Sequence, residues 1–163
     1  MNVSVHDIGL EPLDAISGVE TLCLFVSEDE RPLGGAAGFV DWRLCGALSR
    51  VLVEKFFTGA PGDQLLFPTE GRIPMGRIFV LGLGKRSALA GEGLGRALGK
   101  AVQMLNKAKV ESVALEVPGQ GVLDDAARAR ALDQAFLKEL WASRVAVLAD
   151  KGLRPLVGAA GKP

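Results

Sequence analysis

The sequence predicts an α/β protein in which a mixed, largely parallel sheet lies between two layers of helices. Apolar stretches with strand character alternate with stretches of helical periodicity, which is typical of parallel strands joined by helical crossovers. The stretch Thr21–Ser27 is apolar at most positions, as expected for a strand covered on both faces. Two further strand-like stretches, Gln64–Pro68 and Arg77–Leu83, follow each other closely and predict an antiparallel hairpin.

The other elements are predicted in order from local patterns. Strands are expected at Val3–Leu10, Glu111–Val117 and Arg144–Ala149. Apolar residues at helical spacing predict a first helix over Val40–Leu52, with Asp41 near its first turn, and a second over about Leu89–Lys109.

A third helix is expected to start at an N-cap, Asp124 or Asp125, and to reach about Trp141. The chain of 163 residues is the size of one domain, and no linker divides it. We therefore expect a single domain over residues 1–150, followed by a frayed, small-residue tail over residues 151–163.

The composition argues against several classes of function. Lys and Arg together number 19, as do Asp and Glu, so a net charge of zero makes nucleic acid an unfavourable partner. One His and no Tyr leave few general acids or bases, and we expect no catalytic residues, no metal site and no cofactor. No apolar run is long enough to span a membrane. Two cysteines, Cys23 and Cys45, are expected to be core thiols in a reducing cytoplasm.

A glycine-rich loop before the first helix is the first candidate ligand site. Gly34, Gly35, Ala36 and Gly38 follow a strand and precede a helix, where exposed N–H groups attract anions such as phosphate. The negative charge of Asp41 near that helix start would oppose a phosphate. The alternative interpretation is a tight turn with close packing.

The second candidate site lies where the strand Arg77–Leu83 ends. Gly82 and Gly84 lead from this strand toward a helix, and Lys85 could meet an anion at the carboxyl edge of the sheet. The spacing matches neither complete phosphate-binding glycine motif. The alternative interpretation is a turn followed by solvated basic residues.

Glycines in the second helix form a candidate interface. Gly91, Gly95 and Gly99 recur at every fourth position, which is costly in a helix interior and suggests close approach of another backbone. That neighbour is either the sheet of the same chain or a partner subunit, and a frayed first turn of the helix is the remaining alternative. Trp42 is expected to pack on its helix or, alternatively, to anchor an interface. Arg128 and Arg130 are interpreted as part of a solvated helix face.

Three segments together resemble one known family. Pro32–Ser49, Phe57–Asp63 and Arg77–Arg86 are similar, in order and spacing, to the N-terminal domain of the leucine aminopeptidase family of zinc peptidases. The most recognisable piece is the Asp-x-x-Leu-x-Gly-x-Leu pattern from Asp41 to Leu48.

The resemblance implies a macro-domain-like α/β/α fold that, in the family, precedes a separate catalytic domain with two metal ions. The motif of that catalytic domain does not occur in this sequence. We therefore expect a stand-alone, non-catalytic domain that acts through protein contacts, with another copy of itself or with a separate aminopeptidase-type chain.

Two alternatives remain open. Macro domains bind ADP-ribose between glycine-rich loops, and the segments Gly34–Gly38 and Gly82–Lys85 would form the corresponding walls here. Nucleic-acid binding, known in some members of the family, is the fainter alternative.

Overall fold

Six strands form one sheet within residues 1–160, which the computed structural model describes. They are β1 (Asn2–His6), β2 (Thr21–Val26), β3 (Gln64–Pro68), β4 (Arg77–Gly82), β5 (Ser112–Glu116) and β6 (Arg144–Leu148). Their order across the sheet is β1-β6-β5-β2-β4-β3. Neighbouring strands run parallel except β3, which pairs antiparallel with β4. The predicted mixed sheet and its hairpin are confirmed.

Helices cover both faces of this sheet. In chain order they are α1 (Leu10–Ala15), α2 (Gly35–Arg43), α3 (Ala47–Val53), α4 (Gly93–Lys107), α5 (Asp125–Ala131) and α6 (Arg154–Ala160). The apolar residues of α1, α2 and α3 share one buried cluster with Ala114 of β5. Those of α4 and α6 share a second cluster with Val113 and Leu115 of the same strand. Because successive strand residues point to opposite faces, β5 separates two cores, and the architecture has three layers.

The first predicted helix is two helices. The backbone turns at Cys45 and Gly46, whose φ angles are 54° and 77°, and α3 restarts in a new direction. The apolar periodicity continues through this break, which is why the pattern did not reveal it. Cys45 is exposed, so the prediction of a core thiol is wrong there. Cys23 is buried in β2, and burial raises the pKa of its thiol to about 12.

The second and third predicted helices are shorter than expected. A 3₁₀ turn at Arg86–Leu89 precedes α4, which begins only at Gly93. At Gly93 an added Cβ would lie 1.8 Å from the carbonyl oxygen of Ala88, so this glycine allows the tight entry. The predicted N-cap is confirmed at Asp124, whose side chain accepts a hydrogen bond from the Ala127 amide at 2.6 Å. Beyond α5 the chain continues as a π-helical segment, Leu132–Leu137.

The two ends of the chain also differ from expectation. The first strand stops at His6, and α1 occupies Leu10–Ala15. The predicted frayed tail instead contains α6, and Leu153 and Val157 are buried in the core. These two apolar residues lie one helical turn apart and pack in the same core cluster, which explains why this segment is helical rather than frayed. The tail prediction for residues 161–163 lies outside the described residues.

Candidate functional site

A cavity of about 300 Å³ opens at the carboxyl edge of the sheet. It lies where β2, β4 and β5 end and where α2 begins, the usual place for ligands in an open α/β sheet. Its walls include the following residues: Leu24, Phe25, Ser27, Glu30, Gly34, Gly35, Leu83, Arg86, Leu89, Glu116, Val117 and Gly119–Gly121. Of the first candidate site, Gly34 and Gly35 line this cavity, and their role in ligand binding stays a prediction.

A carboxylate occupies the N-terminus of α2. The amide of Ala36 donates a hydrogen bond of 2.6 Å to Oε2 of Glu116, the last residue of β5. An added Cβ on Gly35 would lie 2.5 Å from the same oxygen, and the φ of Gly35 is +55°. Glycine is therefore required at position 35 by both its backbone and this close carboxylate.

The expected role of Asp41 is wrong, because α2 begins at Gly35 and places Asp41 near its other end. Its Oδ1 accepts hydrogen bonds from the amides of Leu48 at 2.9 Å and Ser49 at 3.1 Å, so Asp41 caps α3. The negative charge at the start of α2 comes instead from Glu116. The sequence could not place it there, because β5 lies 80 residues beyond Ala36.

Burial perturbs the Glu116 carboxyl group. Its pKa is raised, chiefly because burial disfavours the charged form and also because Glu30 and Asp150 carry like charge nearby. The Ala36 hydrogen bond and the positive charge of Arg128 act in the opposite direction without overcoming the burial. Such an incompletely compensated carboxylate in a cleft is typical of a functional group.

At the second candidate site, Gly82, Gly84 and Lys85 do not line the cavity, whereas their neighbours Leu83 and Arg86 do. An added Cβ on Gly82 would lie 2.1 Å from the Ala60 carbonyl oxygen, and one on Gly84 would lie 2.7 Å from Pro61. These glycines therefore let the end of β4 pack against the Ala60–Pro61 turn. This agrees with the alternative interpretation of this segment as a turn. Lys85 is exposed and does not line the cavity.

Arg86, next to Lys85, does line the cavity. Its Nη2 donates to the Gln120 carbonyl oxygen at 2.6 Å, and its amide donates to Asp29 Oδ1 at 2.9 Å. The guanidinium thus reaches from the β4 side of the cleft to the loop after β5. The basic pair at Lys85 and Arg86 was visible in the sequence, but its members diverge in the fold.

Arg128 forms a second charged site that the sequence interpretation missed. It is fully buried rather than solvated. Its Nη1 contacts Asp125 Oδ1 at 2.9 Å and Asp150 Oδ2 at 2.8 Å, and its Nη2 donates to the Val117 carbonyl oxygen at 2.7 Å. This residue therefore anchors the chain segment immediately after Glu116.

The glycine row in α4 does not approach the sheet. An added Cβ on Gly91, Gly95 or Gly99 would meet nothing within 4 Å among the described residues, and Gly91 precedes the helix. The interpretation as a contact with the chain's own sheet is wrong. The partner interpretation stays a prediction.

Trp42 does not pack against the core. It is 65% exposed and lies beside the guanidinium of Arg43, 5.3 Å from the ring centroid. It borders a surface groove together with Leu33, Gly38 and Cys45. An added Cβ on Gly38 would lie 2.6 Å from the Leu33 carbonyl oxygen, so this member of the first candidate site serves close packing away from the cavity.

Within residues 1–160, no group of three or more His, Cys, Asp or Glu side chains could hold a metal ion. No helix in the same range is long and apolar enough to cross a membrane.

The three-layer fold with its cleft at the carboxyl edge of the sheet is of the macrodomain type. A mutant macrodomain of Oceanobacillus iheyensis has a TM-score of 0.69 and 15% identity, covering 97% of this chain and 88% of that one. A mutant of tomato leucine aminopeptidase has a TM-score of 0.58 and 18% identity, covering 98% of this chain and 35% of that one.

The sequence comparison is more specific. Residues 22–143 match the model of the "Cytosol aminopeptidase family, N-terminal domain", and the chain belongs to this family. A "Probable cytosol aminopeptidase" of Geobacter sp. (strain M21) is 37% identical over 91 residues, which is 56% of this chain. The matched region spans only 18% of that relative's length. The resemblance inferred from the sequence is confirmed as a match to an N-terminal domain.

Proposed function

We propose that this chain is a non-catalytic association domain, and that its α2–α3 region contacts a second copy of the chain. The observation that carries the proposal is the exposure of large apolar side chains there. Trp42 is 65% exposed, and Val53 and Phe56 are each 81% exposed. Exposed aromatic residues of this size are enriched at protein interfaces.

The surroundings of Trp42 support a contact surface. The side chain of Arg43 stacks beside the indole ring and also pairs with Asp14 of α1, so the ring is held from one side. A net charge of zero places no long-range repulsion between two copies. As part of the same proposal we place the chain in the cytoplasm, because the relatives it matches are named cytosol aminopeptidases.

Light scattering on chromatographed protein tests this association. The wild-type chain is expected to be a dimer at about 100 μM, and Trp42→Ser is expected to raise the dimer dissociation constant at least tenfold. Trp141→Ser is the matched control, because Trp141 is 79% exposed but lies outside the α2–α3 region. A monomeric wild-type chain would contradict self-association, and equal effects of the two substitutions would contradict the α2–α3 region as the contact surface.

A separate aminopeptidase-type chain is the other partner that the family suggests. If the wild-type chain is monomeric, mixing it with a purified full-length aminopeptidase of the family tests that partner directly. The non-catalytic role is tested by aminoacyl-nitroanilide hydrolysis with added zinc or manganese. No turnover is expected, and robust metal-dependent turnover by the pure chain would contradict the role.

Small-molecule binding in the cavity is a second candidate function. It is supported by the position of the cavity and by a solved Oceanobacillus iheyensis macrodomain whose structure contains ADP. Glu116 and Glu30 at the cavity oppose a diphosphate. Calorimetric titration with ADP-ribose and ADP tests this anion-binding form, and a gel shift with steep salt dependence would be required to retain nucleic-acid binding.

A further inference from the structure

Two carboxylates converge on one stretch of backbone in the cavity. An added Cβ on Gly34 would lie 3.1 Å from Glu30 Oε1, and one on Gly35 would lie 2.6 Å from Glu116 Oε1. Glu30 and Glu116 both line the cavity, and each lies beside one of these two adjacent glycines. Like charges held together in a partly buried place attract a cation or a hydrogen-bond donor.

These carboxylates have unused hydrogen-bonding capacity. Within residues 1–160, Glu116 accepts one hydrogen bond, from Ala36, and neither Glu116 nor Glu30 forms an ion pair. A carboxylate can accept about four hydrogen bonds. The pair can therefore receive the N–H groups of a ligand ammonium.

A guanidinium lines another part of the same cavity. The side chain of Arg86 donates one hydrogen bond, to the Gln120 carbonyl oxygen, and forms no ion pair among the described residues. Its remaining N–H groups can hold a carboxylate, for which the planar guanidinium is well suited. With two carboxylates against one guanidinium, the charged side chains named here favour a ligand that carries both signs over a diphosphate.

The rest of the lining mixes apolar and polar residues. Leu24, Leu83 and Leu89 are among them, together with Ser27 and Gln120. The volume of about 300 Å³ lies at the small end of the range of ligand pockets, about 300–1,000 Å³. This size favours a small molecule.

We propose that the cavity binds a small zwitterion, with its ammonium at Glu30 and Glu116 and its carboxylate at Arg86. The ligand class is a free α-amino acid or a short peptide. This inference rests on the second function proposed above, ligand binding in the cavity, and names the chemistry that the cavity selects.

Amide NMR titration of the whole chain tests the inference. The probes are leucine, leucyl-leucine, 4-methylpentanoate, which lacks the ammonium, 3-methylbutylamine, which lacks the carboxylate, and ADP. Leucine or leucyl-leucine is expected to shift the amides of Gly35, Gly119 and Gly121 at concentrations up to about 10 mM. Each singly charged analogue is expected to bind about tenfold more weakly or worse. The stronger of the first two probes distinguishes a free amino acid from a peptide.

Two substitutions assign the charges. Glu116→Gln keeps an oxygen that can accept the Ala36 hydrogen bond, and is expected to weaken zwitterion binding about tenfold without weakening 4-methylpentanoate. Arg86→Gln is expected to weaken the zwitterion without weakening 3-methylbutylamine. Glu92→Gln and Arg96→Gln are matched controls on exposed side chains, 95% and 68% accessible, and are expected to bind like the wild type.

The outcomes separate the two levels of the proposal. Shifts at the cavity amides with ADP but not with leucine or leucyl-leucine would overturn the zwitterion class and retain ligand binding. No shift with any of the probes, together with no binding in the ADP-ribose titration, would overturn both. A zwitterion that binds no better than its singly charged analogues would also overturn the class.

Discussion

Two charged sites lie next to each other at the end of β5 and differ in how their charge is compensated. Glu116 ends the strand on the α2 side, and the carbonyl group of the next residue, Val117, accepts a hydrogen bond from Arg128. Arg128 has two carboxylate partners, Asp125 and Asp150, besides this carbonyl group. Glu116 has one amide partner, from Ala36, among the described residues.

The pKa directions follow this difference. Burial alone would raise the pKa of Asp150, but the hydrogen bond and positive charge of Arg128, together with the Leu153 amide, lower it. Burial raises the pKa of Glu116 because its partners do not compensate. A buried charge with all its partners is a structural anchor, whereas one short of partners is available to a ligand. This difference supports a structural role for Arg128 and the proposal that Glu116 binds a ligand.

Replacing Arg128 should have the largest effect. Arg128→Met removes the partner of two carboxylates and of the Val117 carbonyl group, and should lower the free energy of unfolding by about 3–5 kcal/mol. Urea unfolding measures the change. Arg130→Met on the exposed neighbour should change it by less than about 0.5 kcal/mol. Similar effects of both substitutions would contradict the structural role of Arg128.

Filling the space between α2 and Glu116 should cause the second-largest loss of stability. Gly35→Ala places a methyl group against the Glu116 carboxylate at a φ of +55°, and should destabilise by about 2–3 kcal/mol. Gly62→Ala is the control, because its φ is +85° and an added Cβ meets nothing within 4 Å. The control should lose only about 1 kcal/mol, the cost of the left-handed backbone. Equal losses in urea unfolding would show that the Glu116 contact contributes nothing.

Removing the charge of Asp150 should destabilise at neutral pH. Asp150→Asn weakens a charged hydrogen bond to Arg128 and should lower the free energy of unfolding by about 2 kcal/mol at pH 7. Because the folded pKa of Asp150 is lowered, its contribution is present above the ordinary value of 3.8 and is lost as the pH falls through the folded pKa. Unfolding curves of variant and wild type should therefore converge in acid. Asp133→Asn, at an exposed pair with Lys138, should change stability by less than about 1 kcal/mol at any pH.

Replacing Glu116 should have the smallest effect on the free energy of unfolding, and it should stabilise the fold rather than destabilise it. Since the folded pKa of Glu116 is raised, the folded state retains this proton more strongly, and the contribution of Glu116 to stability falls as the pH rises above 4.5. Glu116→Gln avoids this loss and should be more stable than the wild type at pH 7, by less than about 1 kcal/mol. The advantage should disappear below pH 4.5, as thermal unfolding across pH would measure. A variant less stable than the wild type at pH 7 would place Glu116 with Arg128 as a structural residue.

Local sequence patterns predicted the strands well and the helix boundaries less well. A strand buried on both faces must be apolar throughout, so β2 was evident, as was the β3–β4 hairpin from the closeness of its strands. The break at Cys45 and Gly46 was missed because apolar spacing is the same whether a helix continues or restarts. The helix α6 was not predicted because a short stretch rich in small residues shows little hydrophobic periodicity.

Of the two walls expected for the candidate site, one contains predicted residues and the other is formed by neighbours of the predicted residues. Gly34 and Gly35 were identified because glycines before a helix mark close backbone approach. At the second wall the glycines serve packing, and Arg86 rather than Lys85 lines the cavity. Arg128 was interpreted with Arg130 as part of a solvated helix face, because its burial depends on contacts with Val117 and Asp150 that are distant in sequence.

The sequence by itself determined the α/β architecture, the mixed sheet and the family, because hydrophobic periodicity and short motifs are local properties. Only the tertiary structure decided which charges meet. Glu116 reaches α2 across 80 residues, and Arg128 reaches Asp150 across 22. Burial and charge compensation depend on these distant neighbours, and they distinguish a structural anchor from a binding group.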